Sequence, residues 1–80
     1  MDEIKMASFL GQFMREQNIN SVEWLKPEYV EMIGKWSHEK VAALYSHFNK
    51  ELLLKEIEFW EKVKNKNVKD AIQDVMIYRR

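Results

Sequence analysis

The side chains of this chain that could carry out catalysis or bind a metal ion are few and lie far apart. The 80 residues include no cysteine and only two histidines, His38 and His47. A helix rotates by about 100° per residue, so a separation of nine residues puts the two histidines on opposite sides and they form no metal-binding face. Gly11 and Gly34 are too far apart for a phosphate-binding loop. The sequence therefore predicts no metal site, no cofactor and no catalytic residue.

A group of glutamates in the second half of the chain has the composition of an acidic metal or catalytic cluster. Its members are Glu51, Glu56, Glu58 and Glu61. Lysines separate them, and on a helix they point to several sides. Glu51 precedes Lys55 and Glu58 precedes Lys62 in the order that stabilises an exposed helix surface. We therefore expect all four carboxylates to lie on a solvated face.

The segment 27–37, taken with 44–48, resembles the end of a tyrosine recombinase. In that family a Leu-Gly-His-Ser step precedes the tyrosine that attacks a DNA phosphate, and Tyr45 stands in the position of that nucleophile. Lys35 replaces the histidine, and the upstream Arg and His-x-x-Arg elements are missing. The resemblance covers about a quarter of the chain. It implies a fragment without independent strand-cleaving activity.

The sequence predicts that all the secondary-structure elements of this chain, including those that carry the residues discussed above, are helices. Two glycines and one proline leave little material for turns between strands, and no long segment alternates polar and apolar residues. Helices are expected at about 2–17, in a region 22–36 that Pro27 interrupts, at about 38–65 after a cap at Ser37, and finally from a cap at Asn67 to Tyr78. The sequence thus predicts one all-α domain, residues 1–80. Its architecture would be a compact bundle of three to four helices with one long central helix.

The first predicted helix has an apolar face that is too wide for one neighbouring helix to cover. Its apolar residues are Ile4, Met6, Ala7, Phe9, Leu10, Phe13 and Met14. Gly11 lies among them, costs about 1 kcal/mol relative to alanine in a helix, and permits a close approach to a neighbour. Together with the many aromatic residues of the chain, this face indicates more apolar surface than the fold buries. Such a surface usually marks an interface.

The net charge of zero is divided unequally along the chain. Residues 1–61 carry seven Lys and Arg against eleven Asp and Glu, whereas residues 62–80 carry six against two. This unequal distribution of charge has two interpretations. Either the basic side chains pair with the acidic body, or they form a contact surface for an acidic partner such as nucleic acid.

These observations predict a non-enzymatic protein-binding module that acts as a small regulator, adaptor or inhibitor of a partner protein by occlusion. Aromatic side chains are enriched at protein interfaces, and the expected contact residues are Trp24, Trp36, Leu53, Ile57 and Trp60. Self-association as a homodimer through the long helix is expected as well. The sequence has no signal-peptide pattern and no membrane span, so we expect a cytoplasmic protein with neither a membrane partner nor a small-molecule substrate.

The alternative prediction is a small nucleic-acid-binding regulator that uses its basic C-terminal segment. The residues that would contact phosphates are Lys62, Lys64, Lys66, Lys69, Arg79 and Arg80. The acidic body opposes this alternative because phosphate contacts dominate affinity for nucleic acid.

Overall fold

The computed structural model describes residues 2–78, which form five α-helices and a single 3₁₀ turn, with no β-strand among them. In chain order the elements are α1 (Glu3–Glu16), the 3₁₀ turn (Val22–Trp24), α2 (Pro27–Gly34), α3 (His38–Tyr45), α4 (Lys50–Lys62) and α5 (Lys66–Tyr78). The all-α prediction is therefore confirmed. No helix in this part of the chain combines the length and the apolar composition that crossing a membrane requires.

Short polar side chains begin most of the helices by accepting a hydrogen bond from a free backbone N–H. The caps are Asp2 for α1, Ser37 for α3, Asn49 for α4 and Asn65 for α5. Ser37 is confirmed as a cap, whereas the predicted cap Asn67 is wrong and lies in the first turn of α5. α2 begins without a side-chain cap, and Pro27 at its start has no N–H and a backbone angle that already suits the first turn of a helix.

The predicted long helix at 38–65 and the bundle built around it are wrong, because the chain turns between α3 and α4. Ser46 Oγ donates to the Ala43 carbonyl at 2.8 Å, and Asn49 Oδ1 accepts from the Leu52 N–H at 2.9 Å, which starts a new helix. Phe48 lies within the turn and is fully buried. The turn thus carries a large aromatic side chain into the core. The fold has five helices instead of three or four.

α3 joins the two halves of the core, since it packs against both α1 and α5, and α5 packs in turn against α4. The buried apolar cluster draws on every helix and on the 3₁₀ turn. It comprises Met14, Val22, Ile33, Val41, Leu44, Tyr45, Phe48, Leu53, Trp60, Val68, Ala71, Ile72 and Val75. Pro27 is preceded by the 3₁₀ turn and itself begins α2, so the region 22–36 contains two short elements.

Gly11 allows α1 to approach α3 more closely than any other residue would. It is buried with Ala7 and Met14 on the face of α1 that packs against α3. A Cβ atom at Gly11 would overlap the backbone carbonyl oxygen of Leu44 and meet the His47 ring at 3.0 Å. A backbone carbonyl in a helix cannot move aside independently, so the close helix contact predicted from Gly11 is confirmed.

Replacing Gly11 by alanine is expected to destabilise the protein, although alanine is the better helix former. The added methyl group must push α1 away from Leu44, and overpacking of this kind costs about 2 kcal/mol. The matched control is Gly34→Ala, whose Cβ would meet only side-chain atoms of Asn65 and Trp60, at 3.1 Å or more. Urea denaturation followed by circular dichroism measures both. A Gly11→Ala protein as stable as the wild type would contradict the close contact.

Candidate functional site

A buried carboxylate, Glu56, lies at the centre of the molecule and is 1% exposed. Its carboxylate accepts three hydrogen bonds: from Ser21 Oγ at 2.5 Å, from the Val22 backbone N–H at 2.9 Å and from the Tyr45 hydroxyl at 2.8 Å. The sequence predicted a solvated face for Glu56, and this is wrong. Its three donors lie 11 to 35 residues away along the chain, so no local pattern reveals them.

Trp60 extends this network, because its indole N–H donates to the Tyr45 hydroxyl oxygen at 2.8 Å. Tyr45 and Trp60 are both fully buried. No buried side-chain nitrogen or oxygen within residues 2–78 lacks a hydrogen-bond partner. The polar groups at the centre are therefore fully satisfied, as burial of such groups requires. We call Ser21, Val22, Tyr45, Glu56 and Trp60 the Glu56 network.

Burial controls the ionisation of both acids in the Glu56 network. Loss of water raises the pKa of Glu56 above its usual value, while its hydrogen bonds to Ser21, Val22 and Tyr45 oppose that rise. Burial, followed by the neighbouring Glu56 charge, raises the pKa of Tyr45 well above its usual value. Tyr45 is thus enclosed and held in its neutral form. It cannot reach a DNA phosphate, so the nucleophile implied by the recombinase resemblance is not accessible.

One serine–histidine pair occurs within residues 2–78: Ser8 Oγ lies 2.8 Å from His47 Nε2. A serine nucleophile needs a basic partner of this kind and a third group that orients the base. No carboxylate in this range bonds to His47. The pair joins α1 to the turn after α3, next to the Gly11 contact. Its position identifies it as a hydrogen bond of the α1–α3 packing. Nor do these residues contain a group of three or more potential metal ligands.

An apolar groove of about 510 Å³ lies between the 3₁₀ turn and α2 on one side and the end of α4 on the other. Its apolar lining consists of Leu25, Pro27, Val30, Phe59, Trp60 and Val63. The charged groups along it are Glu23, Glu31 and Lys35. Lys35 Nζ lies 3.6 Å from Glu31, and both side chains are exposed. Glu23 therefore leaves the groove with a net negative charge. We refer to this feature as the α2–α4 groove.

Hydrogen bonds hold both sides of the α2–α4 groove. On one side, Val22 donates to Glu56 immediately before the lining residues Glu23 and Leu25. On the other, the Trp60 indole is fixed by Tyr45. At the end of the groove, Asn65 Nδ2 donates to the Gly34 carbonyl at 2.9 Å and so ties α2 to the start of α5. The groove is therefore formed in advance of any ligand.

The structure separates the five predicted contact residues into different environments. Leu53 and Trp60 are fully buried, so their side chains do not form a surface, although an edge of Trp60 lines the groove. Trp36 and Ile57 are half-buried against the core, and Lys40 Nζ lies 4.6 Å from the centre of the Trp36 ring. Trp24 is 62% exposed, between two lining residues.

The contact residues predicted from the sequence do not include Leu25, Val30, Phe59 or Val63, which line the groove. Phe59 and Val63 are four residues apart, a spacing that equally predicts a core face. The signal that distinguishes them is the distance to α2, which the sequence does not contain.

The basic segment is partly neutralised by the protein itself. Lys66 Nζ lies 2.8 Å from Asp70, and Lys69 Nζ lies 3.6 Å from Glu61. Lys62 and Lys64 are exposed, and no ion pair within residues 2–78 involves either of them. Arg79 and Arg80 lie outside the described residues. Of the four lysines that the structure describes in this segment, two are thus paired with carboxylates and two are not.

Comparison with known proteins identifies no relative of this chain. No protein-family model matches the sequence, and neither the curated proteins nor the solved structures give a significant match. Function must therefore be argued from the groove and from the other surfaces of the molecule.

Two substitutions of Glu56 are expected to behave very differently. Glu56→Ala leaves Ser21, Val22 and Tyr45 without their acceptor and should destabilise the protein by roughly 3 kcal/mol. Glu56→Gln keeps the shape and acceptor oxygen without a charge to bury, so its cost should be much smaller. Urea denaturation of both variants measures the difference, and equal losses of stability would contradict the network.

The same variants give a test that depends on pH. Because the folded pKa of Glu56 is raised, the stability it contributes is fully present below its unfolded pKa and is lost as the pH rises through the folded value. Acidification from pH 7 towards pH 4.5, the usual value for the side chain, should therefore favour the wild type relative to Glu56→Gln. A stability difference that moves the other way would show that the folded pKa is lowered.

Proposed function

We propose that this protein is a non-enzymatic binding module whose α2–α4 groove receives an apolar segment of a partner protein. By covering that segment it regulates, adapts or inhibits the partner. The observation that carries this proposal is an open groove lined by Leu25, Val30, Phe59 and Val63 on a chain of only 80 residues. A hydrophobic groove that receives the apolar face of a partner segment is a recurring mode of peptide recognition.

The groove suits a ligand that brings large apolar side chains. Val63 is 48% exposed, and Phe59 lies partly open beside it, so both can lose further contact with water on binding. Trp24 is exposed next to the groove in sequence and can contact a bound segment at its edge. Aromatic residues are enriched among the side chains that contribute most of the binding energy, and these lie near the centre of an interface, so we expect Phe59 in the groove to contribute more than Trp24 at its edge.

The charges of the groove select the sign of its partner. Lys35 is paired with Glu31, which leaves the Glu23 carboxylate to attract a cation. We therefore infer an apolar segment flanked by lysine or arginine. A charge at the exposed edge contributes mainly to specificity and to the rate of association.

Because the walls of the groove are already held in place, a small protein of this kind can bind a partner segment with useful affinity. The Glu56 network and the Asn65–Gly34 hydrogen bond fix the groove before a ligand arrives, so binding requires little additional ordering of the protein. Ordering costs are a main reason why apolar contacts fail to yield affinity. Occlusion then follows from the bulk of the five-helix domain over the bound segment.

The proposal predicts which peptides the protein selects from a displayed library of random linear peptides. Wild-type protein should enrich sequences with paired aromatic or aliphatic residues next to lysine or arginine. Val63→Lys places a cation among the apolar lining residues, where it opposes both the apolar and the basic residues of the selected peptides, and should weaken their binding by about tenfold or more, measured by fluorescence anisotropy. Leu54→Lys is the matched control, because Leu54 is also 48% exposed and belongs to α4 but does not line the groove.

Several outcomes would contradict the proposal. One is the absence of enrichment over an unrelated helical protein, and another is equal weakening by Val63→Lys and Leu54→Lys. The nucleic-acid alternative predicts instead binding of a labelled DNA duplex that falls steeply with salt and is lost on changing Lys62 and Lys64 to alanine.

Trp24→Ala is a better probe of the edge of the groove than Trp60→Ala, because Trp60 belongs to the core.

A further inference from the structure

One face of α1 remains uncovered. Met6, Phe9 and Phe13 are 53%, 51% and 50% exposed, whereas Ala7 and Gly11 on the adjoining face are buried against α3. Residues 6, 9 and 13 are spaced three and four apart, so the three exposed side chains form one continuous stripe along the helix. We call them the α1 stripe. The apolar face that the sequence predicted to be too wide for one neighbouring helix is thus exposed at these three side chains.

Two opposite charges border the α1 stripe on the same side. Lys5 and Glu16 are eleven residues apart, which is close to three full turns, so they lie along one edge of the stripe. Both residues are exposed, and Gln12 Nε2 donates to Glu16 Oε1 at 3.1 Å. This edge is therefore positive at Lys5 and negative at Glu16, while Glu3 lies on the opposite side of the helix and the Asp2 carboxylate caps the start of α1.

We propose that the α1 stripe binds the same stripe of a second copy of the chain, with the two α1 helices antiparallel. A two-fold axis near Leu10 and Gly11 brings Lys5 of each copy opposite Glu16 of the other. The same arrangement places Phe9 of each copy beside Phe13 of the other. When the second copy is turned end to end, the positive end of this edge meets the negative end of the same edge in the other copy. An isologous dimer requires a surface that is complementary to itself in this way.

A parallel arrangement lacks this complementarity. The two-fold axis of a parallel dimer runs along the helices, so the edge that carries Lys5 and Glu16 in one copy faces the opposite edge of the other copy. Lys5 then does not meet Glu16, and neither attraction forms. The pairing of Lys5 with Glu16 therefore favours the antiparallel dimer. This dimer uses α1, not the residues of the long helix through which the sequence predicted self-association.

The size of the α1 stripe sets the strength of the dimer. Each half-exposed side chain offers about 100 Å² for burial, so the stripe supplies roughly 300 Å² per copy. A standard stable interface buries about 800 Å² per partner. The dimer is accordingly weak and forms at high micromolar concentration. Because α1 and the α2–α4 groove use different residues, a dimer can leave the groove accessible.

The test is sedimentation equilibrium of the full chain and its variants over about 10 μM to 1 mM, the range for a small interface. Phe9→Glu should abolish dimerisation. Lys5→Glu and Glu16→Lys should each weaken it by about tenfold, since two attractive pairs become repulsive. The double variant Lys5→Glu/Glu16→Lys restores both pairs in reversed order and should return the dissociation constant to within about threefold of the wild type. Ile77→Glu on α5, where Ile77 is 58% exposed, is the control and should leave dimerisation unchanged.

The charge-reversed double variant also separates dimerisation from folding. Glutamate near the start of α1 and lysine near its end both suit the helix dipole, so the variant should fold at least as well as the wild type. Circular dichroism checks this. A wild-type protein that stays monomeric over the whole range would overturn the proposal. So would a dimer that Phe9→Glu leaves intact, or a double variant as weak as the single ones.

Discussion

The fold depends on the burial of one carboxylate. Removing an ionisable group such as Glu56 from water costs several kcal/mol unless other groups compensate it. Here the compensation comes from Ser21 and Val22 before α2 and from Tyr45 at the end of α3. The carboxylate can therefore be buried only when these segments are all in place around α4. This requirement links the 3₁₀ turn, α3 and α4, whose side chains are otherwise joined by apolar contacts without direction.

When the segments around Glu56 are held in this way, the apolar surface that is not buried lies in two separate places. The 3₁₀ turn and the Trp60 ring, both held by the Glu56 network, form opposite sides of the α2–α4 groove. α1 is held by the close contact at Gly11, and the side chains of its outer stripe are about half exposed. An 80-residue chain has a small core, and apolar residues beyond its capacity must face outward. Their arrangement as a groove and a stripe, instead of as scattered positions, is the basis of both binding proposals.

The features of this fold that could be predicted from the sequence are those that depend on neighbouring residues. The helical class, the Ser37 cap, the Gly11 contact and the wide face of α1 all follow from local spacing. The break after Tyr45 did not, because the apolar positions continue in phase from α3 through Phe48 to α4. The sequence also placed Glu56 on the surface and Trp60 at an interface, whereas both are buried. Their burial is possible because their polar atoms have hydrogen-bond partners that are distant in sequence, and no local pattern specifies those partners. The groove was missed for the same reason, since its two sides come from separate parts of the chain.

Hydrogen exchange of the Val22 backbone amide measures directly whether the buried carboxylate holds the 3₁₀ turn in place. Val22 begins the 3₁₀ turn, and its N–H donates to Glu56 Oε1 instead of to a helix carbonyl. If the buried carboxylate organises the fold, this amide should exchange only when the protein unfolds globally, with protection equal to that of the core amides of α3 and α5. Exchange at the rate of an amide in an unfolded chain would contradict the account, because it would mean that Glu56 does not hold the 3₁₀ turn in place.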